Sequence, residues 1–202
     1  MKNNDFIIIS TADWNSPIKT NKQYITLEIA KLGYRVLYVE SLGIRKIQLK
    51  RKDFFRIVKR ILKLSNFINR KKKNIWVLSP LLIPGAKNNK TLFINKILLN
   101  LNLIIATNIL RFNYDYLWTF NPLTNLYLNI SKFKKSIYYA VDAIEYQPYM
   151  PKNFIKKHEA ILASKVDNVF VTSNTIFNKL KKFNNNISLY GNVCDFNHFS
   201  KA

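Results

Sequence analysis

Polar side chains that suit a hydroxyl-rich ligand stand at the ends of several short apolar segments of this chain. They are Asp13, Trp14 and Asn15 after the first segment, Glu40, then Thr119 and Asn121, then Asp142 and Glu145, and finally Thr172 and Ser173. Carboxylates and amides exchange hydrogen bonds with hydroxyl groups, and an indole face can cover a sugar ring. Each residue alone is weak evidence, because Asp and Asn often only cap helices. As a set, they indicate a binding site for a polyhydroxylated ligand.

The elements that must position these residues are short apolar runs alternating with longer segments of helical pattern. The runs are 5–10, 35–40, 75–80, 115–120, 136–142 and 168–173, with a seventh at 187–190. They are apolar almost without interruption, as expected of strands covered on both faces. The predicted helices are about 22–32, 53–68, 90–111, 122–132, 151–165 and 174–183. The alternation predicts an α/β fold, a doubly wound, Rossmann-like parallel sheet of about six to seven strands.

Single residues predict where three of these helices begin or end. Gly33 follows the first helical pattern and suits its C-terminus. Asn121 precedes Pro122 and suits the cap of the helix at 122–132. Ser173 or Asn174 suits the cap of the last helix. In such a sheet, ligands bind beyond the carboxyl ends of the strands, so the polar residues above are expected along one shared edge.

Motifs of other site classes are missing from the sequence. The turn after the first strand reads STADWNSPIKTN and lacks the glycines of a dinucleotide or P-loop site. No G-x-S-x-G nucleophile elbow occurs. One cysteine and two distant histidines cannot form a zinc site or an internal disulfide. We therefore expect no cofactor, no metal and a reducing, cytoplasmic setting.

The ordered segments resemble the N-terminal half of a GT-B glycosyltransferase of the retaining family-4 type, which builds bacterial envelope polysaccharides. The segments are 13–45, IWVLSPLLIPG, YLWTFNP, SIYYAVDAIE, 157–180 and SLYGNVCDFNHF. The last resembles that family's Asn-Gly-Val-Asp…Phe segment, although Cys194 interrupts it. The resemblance implies a catalytic role for Asp142 beside the transferred sugar. Positions at or near strand ends predict substrate-binding roles for Asp13, Trp14, Asn15, Thr119, Asn121, Glu145 and Ser173.

Alternatives to these roles remain open. Asp142 could only cap a turn, Glu145 could be a solvated loop residue, and Glu159 suits a structural role better than catalysis. Residues 1–190 are expected to form the acceptor-side domain, and 191–202 the start of an interdomain linker. The family's second domain, which binds the nucleotide sugar, is absent from these 202 residues. We therefore expect an inactive half enzyme that takes a nucleotide-sugar donor only with a second domain, or a non-catalytic binding module that needs a partner chain.

A strongly basic segment, 44–74, points to an anionic partner. The formal net charge of the chain is +22, and this segment contains a single acid, Asp53. Apolar residues recur in it at helical spacing, and a cationic face is formed by Arg56, Lys59, Arg60 and Lys63. Basic amphipathic helices bind anionic membrane surfaces, or pack on a core with a solvated cationic face. We favour peripheral attachment at the inner face of the plasma membrane, with a glycan or lipid-linked acceptor.

Two rival interpretations of the composition are less favoured. The apolar stretch 92–110 is interrupted by Lys96 and several Asn, so a core helix is preferred over membrane contact. Basic charge and many aromatics could also suit RNA. However, the aromatics lie mostly inside apparent strands, and no RRM, KH or helix-turn-helix pattern occurs. We therefore expect no nucleic-acid partner.

Overall fold

An eight-stranded sheet organises the chain in a computed structural model that describes residues 4–42, 67–83, 89–148, 150–193 and 200. The strands are β1 Asp5–Ile9, β2 Arg35–Val39, β3 Ile68–Lys72, β4 Ile75–Leu78, β5 Tyr116–Thr119, β6 Lys135–Ala140, β7 Asn168–Val171 and β8 Ile187–Leu189. Their spatial order is β3-β4-β2-β1-β5-β6-β7-β8. Every neighbouring pair is parallel except β3 and β4. The predicted α/β, Rossmann-like class is confirmed.

Five α-helices connect the described strands. They are α1 Asn21–Lys31, α2 Asn89–Leu110, α3 Thr124–Tyr127, α4 Lys152–Lys165 and α5 Asn174–Leu180, with short 3-10 turns at Ile130–Lys132 and Ile144–Tyr146. The predicted bounds of α1, α2 and α4 are within a residue of those observed. Gly33 ends α1 as predicted, with φ of 93° and its N–H donating to the Ala30 carbonyl.

The edge strand β3 was not predicted. Its sequence INRKK is charged and mostly exposed, so it lacks the apolar pattern of the other strands. It pairs antiparallel with β4 through a tight turn in which Asn74 has φ of 66°, a value that asparagine tolerates. The helix predicted at 53–68 is wrong at its end, because Ile68 belongs to β3. The rest of that predicted helix lies outside the described residues.

The hydrophobic core lies on both faces of the sheet. Along β1, Ile7 and Ile9 point to one face and Phe6 and Ile8 to the other, and all four are buried. Helix α1 covers the Phe6 and Ile8 face, while α2 to α5 cover the opposite face. This two-sided cover explains why the strands are apolar almost without interruption.

Candidate functional site

A cleft of about 670 Å³ opens between the start of α1 and the end of β6. Its walls come from the loop before α1 (17–20), the first turns of α1, the loop after β6 (141–142) and the segment 192–193. All lie beyond the carboxyl ends of β1 and β6, where an open parallel sheet places its ligands. Of the predicted site residues, Asp142 lines this cleft, and it is the one carboxylate among the described lining residues.

Local hydrogen bonds fix the α1 wall of the cleft. Thr20 precedes α1, and its backbone N–H and hydroxyl both donate to Gln23 Oε1 at 3.0 Å. Gln23 Nε2 in turn donates to the carbonyl of Asp13 at 3.0 Å. The buried Gln23 side chain therefore starts the helix and ties the preceding loop to it.

Among the described residues, the Asp142 carboxylate has a single basic neighbour. Lys22 Nζ lies 3.5 Å from Asp142 Oδ2, and the Lys22 ammonium also lies 5.9 Å from the centroid of the Phe120 ring. The Asp142 side chain is 52% exposed, whereas that of Lys22 is 9% exposed. Lys22 therefore sits inside the wall and Asp142 faces the open cleft, where it can still accept hydrogen bonds from a ligand.

The segment after β8 closes the cleft on its other side. Asn21 Nδ2 donates to Asn192 Oδ1 at 2.8 Å, and the Tyr139 hydroxyl donates to the Gly191 carbonyl at 2.9 Å. Burial raises the pKa of Tyr139, so its hydroxyl stays a donor. Lys22 and Asn21 were not predicted as site residues, since neither lies at a strand end. Asn192 was noted only as part of the segment that resembles the family's Asn-Gly-Val-Asp…Phe segment.

The predicted residues after β1 lie on the same edge but do not line the cleft. Asp13 and Asn15 are exposed, and Trp14 is half-buried. The Trp14 ring meets the Tyr38 ring edge-on at 5.1 Å, and its backbone N–H donates to Glu40 Oε1 at 2.9 Å. Burial, the largest effect, raises the pKa of Tyr38 well above its usual value. Trp14 and Glu40 therefore hold the β1 loop onto the end of β2, and their binding role stays a prediction.

Thr119 and Asn121 are fully buried in the turn from β5 to α3. Thr119 Oγ1 accepts from the Asn121 N–H at 3.0 Å and lies 2.6 Å from Thr124 Oγ1. Asn121 Oδ1 accepts from the N–H of Leu123, the residue that immediately precedes α3. The predicted cap at Asn121 is therefore wrong by two residues, and the helix expected at 122–132 is shortened to α3 and a 3-10 turn. The substrate-binding role of Thr119 and Asn121 remains a prediction.

Glu145 is buried rather than solvated, contrary to one of the two expectations for it. Lys179 Nζ donates to Glu145 Oε1 and to Glu159 Oε2, both at 2.8 Å, and the Tyr138 hydroxyl donates to Glu159 Oε1 at 2.7 Å. We call these four residues the Lys179 cluster. Burial alone would lower the pKa of Lys179, but its hydrogen bonds to both carboxylates raise it. Burial, followed by the charge of Glu159, raises the pKa of Tyr138.

The Lys179 cluster anchors the loop that carries Asp142. Glu145 lies three residues after Asp142, in the 3-10 turn that follows β6. Lys179 comes from α5, and Ser173 starts that helix by accepting from the Ile176 N–H at 3.3 Å. Beside it, Thr172 Oγ1 donates to the Val141 carbonyl at 2.7 Å. The ends of β6 and β7 are thus held together, and Ser173 is confirmed as the cap of α5.

The predicted cationic face consists of Arg56, Lys59, Arg60 and Lys63, and all four lie outside the described residues. Within the described part of the chain, no group of three His, Cys, Asp or Glu side chains is arranged to hold a metal ion.

Comparison with known proteins supports the fold alone. No family model and no curated protein matches this sequence. Among solved structures, the chain is similar to a sucrose-phosphate synthase from Thermosynechococcus elongatus, with a TM-score of 0.50 and 11% identity. The match covers 98% of this chain and 93% of that chain. The shared architecture therefore extends over nearly the whole of both chains.

Proposed function

We propose that this chain is the acceptor-side half of a glycosyltransferase, which holds a glycan or lipid-linked acceptor in the cleft beside Asp142. The observation that carries the proposal is the placement of Asp142, half-exposed in that cleft, at the carboxyl edge of the parallel sheet. The likeness of fold to a sucrose-phosphate synthase supports it, as that protein's name denotes a synthase of a sugar phosphate.

The groups of the cleft suit a hydroxyl-rich ligand. Asp142 offers acceptor oxygens, Lys22 a cation, and the Asn21 and Asn192 amides both donors and acceptors. In transfer, the Asp142 carboxylate would accept a hydrogen bond from a sugar hydroxyl, or stabilise the positive charge that develops at the anomeric carbon. The Lys22 ammonium lies 3.5 Å from the carboxylate and opposes its negative charge.

The nucleotide-sugar donor would be bound only together with a second domain, on this or another polypeptide. The segment 191–193 supports this arrangement, because it forms one wall of the cleft through Asn192 and runs on from β8.

An oligosaccharide-binding measurement tests the acceptor role. We expect the chain to retain a subset of glycans on an oligosaccharide array, and the Asp142→Asn variant to bind them at least about tenfold more weakly, since a charge-assisted hydrogen bond is lost. Glu28→Gln is the matched control, because it removes an equal charge from an exposed pair with Lys31 on the far part of α1. Equal binding by all three proteins, or no binding by any, would contradict the proposal.

A hydrolysis assay tests the half-enzyme part separately. The isolated chain is expected to release essentially no nucleotide from UDP- or GDP-sugars. Robust turnover, abolished by Asp142→Asn, would show that the chain binds its donor unaided and would refute this part.

A second candidate function is a non-catalytic glycan-binding module that acts with a partner chain. It is favoured by one observation, that the described cleft contains a single carboxylate and that this carboxylate already has a lysine partner. Glycan binding that persists in Asp142→Asn, without transfer when a nucleotide-sugar-binding partner is supplied, would favour the module.

A further inference from the structure

The outer side of α2 is largely apolar, with the exposed Asn108 as the one polar residue inside its row of apolar side chains. Seven large apolar side chains of this helix are between 42% and 66% exposed: Phe93, Ile94, Ile97, Leu101, Ile104, Ile105 and Ile109. At about 100° per residue they fall within an arc of roughly 160°, and the row is about 24 Å long. We call these seven residues the apolar face of α2. Soluble monomers rarely leave such a row uncovered.

Polar residues occupy the inner side of the same helix. Asn95 and Asn102 are buried, and their amides bind the backbone of the loop that precedes α2. Asn95 exchanges two hydrogen bonds of 2.8 Å with the N–H and carbonyl of Ile83, and Asn102 Oδ1 accepts from the Leu81 N–H at 3.1 Å. Turning the helix to bury its isoleucines would break these bonds. The outward orientation of the apolar face is therefore built into the fold.

The inner side also keeps α2 attached to the sheet. Leu99, Leu103 and Ala106 are buried in the core. By length and composition alone, α2 is the helix of the described residues long and apolar enough to cross a membrane. Since one side packs on the sheet, only the apolar face can meet another phase. A helix of this kind lies along an interface rather than across it.

The positive charge of the chain favours an anionic partner for the apolar face of α2. The sequence has no acidic residue between Asp53 and Asp115, and α2 carries Lys90 and Lys96 within a chain of net charge +22. A second copy would bring an equal positive field, which opposes association. Nucleic acid would meet aliphatic side chains, with Phe93 the one aromatic ring to stack on a base. An anionic bilayer offers both negative charge and an apolar interior.

We propose that the apolar face of α2 docks on an anionic lipid bilayer, with the helix axis parallel to the membrane plane and the side chains of Phe93 to Ile109 in the headgroup–acyl boundary. The exposed Ile83, held beside α2 by Asn95, extends this contact at one end. The inference goes beyond the proposed function and does not depend on sugar transfer. It also places the membrane contact on described residues outside the basic segment 44–74.

Vesicle co-sedimentation tests the contact. We expect the full chain to bind vesicles of phosphatidylglycerol and phosphatidylcholine much more tightly than vesicles of phosphatidylcholine alone. The double variant Leu101→Asn, Ile104→Asn should bind the anionic vesicles at least about tenfold more weakly, because two apolar side chains no longer enter the lipid. Leu32→Asn is the control, since Leu32 is 76% exposed at the end of α1. All variants change exposed positions, and their thermal unfolding should match the wild type.

A fluorescence measurement separates lipid insertion from other contacts. Tryptophan emission of Phe93→Trp, compared with the wild type, should be quenched by bromine atoms on the lipid acyl chains, and that of Leu32→Trp should not. The proposal is overturned by any of three results. The first is no binding to anionic vesicles, and the second is equal binding by the double variant and the wild type. The third is a wild-type protein that is dimeric in sedimentation equilibrium while the double variant is monomeric. Normal glycan binding alongside any of these would leave the proposed function intact.

Discussion

Replacing Lys179 by methionine should destabilise the protein strongly, because Lys179 neutralises two buried carboxylates. The Glu145 side chain is 0% exposed and that of Glu159 is 3% exposed, and each lies 2.8 Å from Lys179 Nζ. Lys179 binds Glu145 Oε1, and Glu145 Oε2 has no hydrogen-bond partner among the described residues. Methionine keeps most of the side-chain volume and removes the charge and the donors.

The expected magnitude follows from the burial of the three groups. Removing one partner of a buried ion pair costs about 3–5 kcal/mol. The Lys179 side chain is 26% exposed, so water reaches the cluster and the lower figure applies. We expect Lys179→Met to lower the free energy of unfolding by about 2–3 kcal/mol, which is a fall in Tm of about 4–12 °C for a chain of this size.

The pH dependence of this loss gives a sharper test. In the wild type the pKa of Lys179 is raised above 10.5, so its contribution is complete below that pH and disappears as the pH rises through the folded value. Methionine lacks this titrating group. The difference in stability between variant and wild type should therefore shrink as the pH rises above 10.5.

Urea unfolding followed by circular dichroism at pH 7 and at about pH 11 measures both effects. Lys181→Met is the matched control, because Lys181 is exposed two positions further along the chain. A loss below about 1 kcal/mol, a loss equal to that of the control, or a loss that is the same at both pH values would refute the reasoning.

Three further predictions concern other charged groups. Arg35→Met should lower the free energy of unfolding by about 3 kcal/mol in urea titrations, because the guanidinium donates at 2.7 and 2.6 Å to the fully buried Asp5. A loss of stability no larger than that caused by replacing an exposed lysine would contradict this. Burial, then the charge of Lys157, lowers the pKa of His158, so its neutral form is favoured and stability falls as the pH drops through about 6.5. The Tm of His158→Gln should therefore fall less between pH 7.5 and 5.5 than the Tm of the wild type. An equal fall in both proteins would contradict this assignment. Asp142→Asn should change the free energy of unfolding by less than about 1 kcal/mol, since its pair is half-exposed; a larger loss would mark Asp142 as structural.

The sequence pattern located most of the sheet because most strands are buried on both faces. β1 and β2 are apolar at nearly every position, and such runs are recognisable without knowledge of their neighbours. β3 was missed because its strand conformation comes from pairing with β4 and from the turn at Asn74, not from its own residues. The shortened α3 has a similar origin, in the side-chain bonds of Thr119 and Asn121.

The position of the candidate site could be predicted from the sequence, but not which residues line it. Parallel strands bring their carboxyl ends to one edge, so Asp142 was expected there from the order of the segments alone. Whether a side chain remains accessible to a ligand depends on partners that are distant in sequence. Glu145 accepts a hydrogen bond from Lys179, 34 residues away, and Asp142 pairs with Lys22, 120 residues away. No local pattern carries that information.

The most direct test of the central claim is a map of the ligand on the protein by ¹H–¹⁵N NMR. The labelled chain is titrated with an oligosaccharide that it retains on the array, and the shifts of the backbone and side-chain amides are followed. We predict that the largest shifts occur at Asn21, Lys22, Asp142 and Asn192, and that Asp142→Asn needs at least about tenfold more ligand to reach the same shifts. Shifts confined to another surface, with these four residues unmoved, would contradict the account.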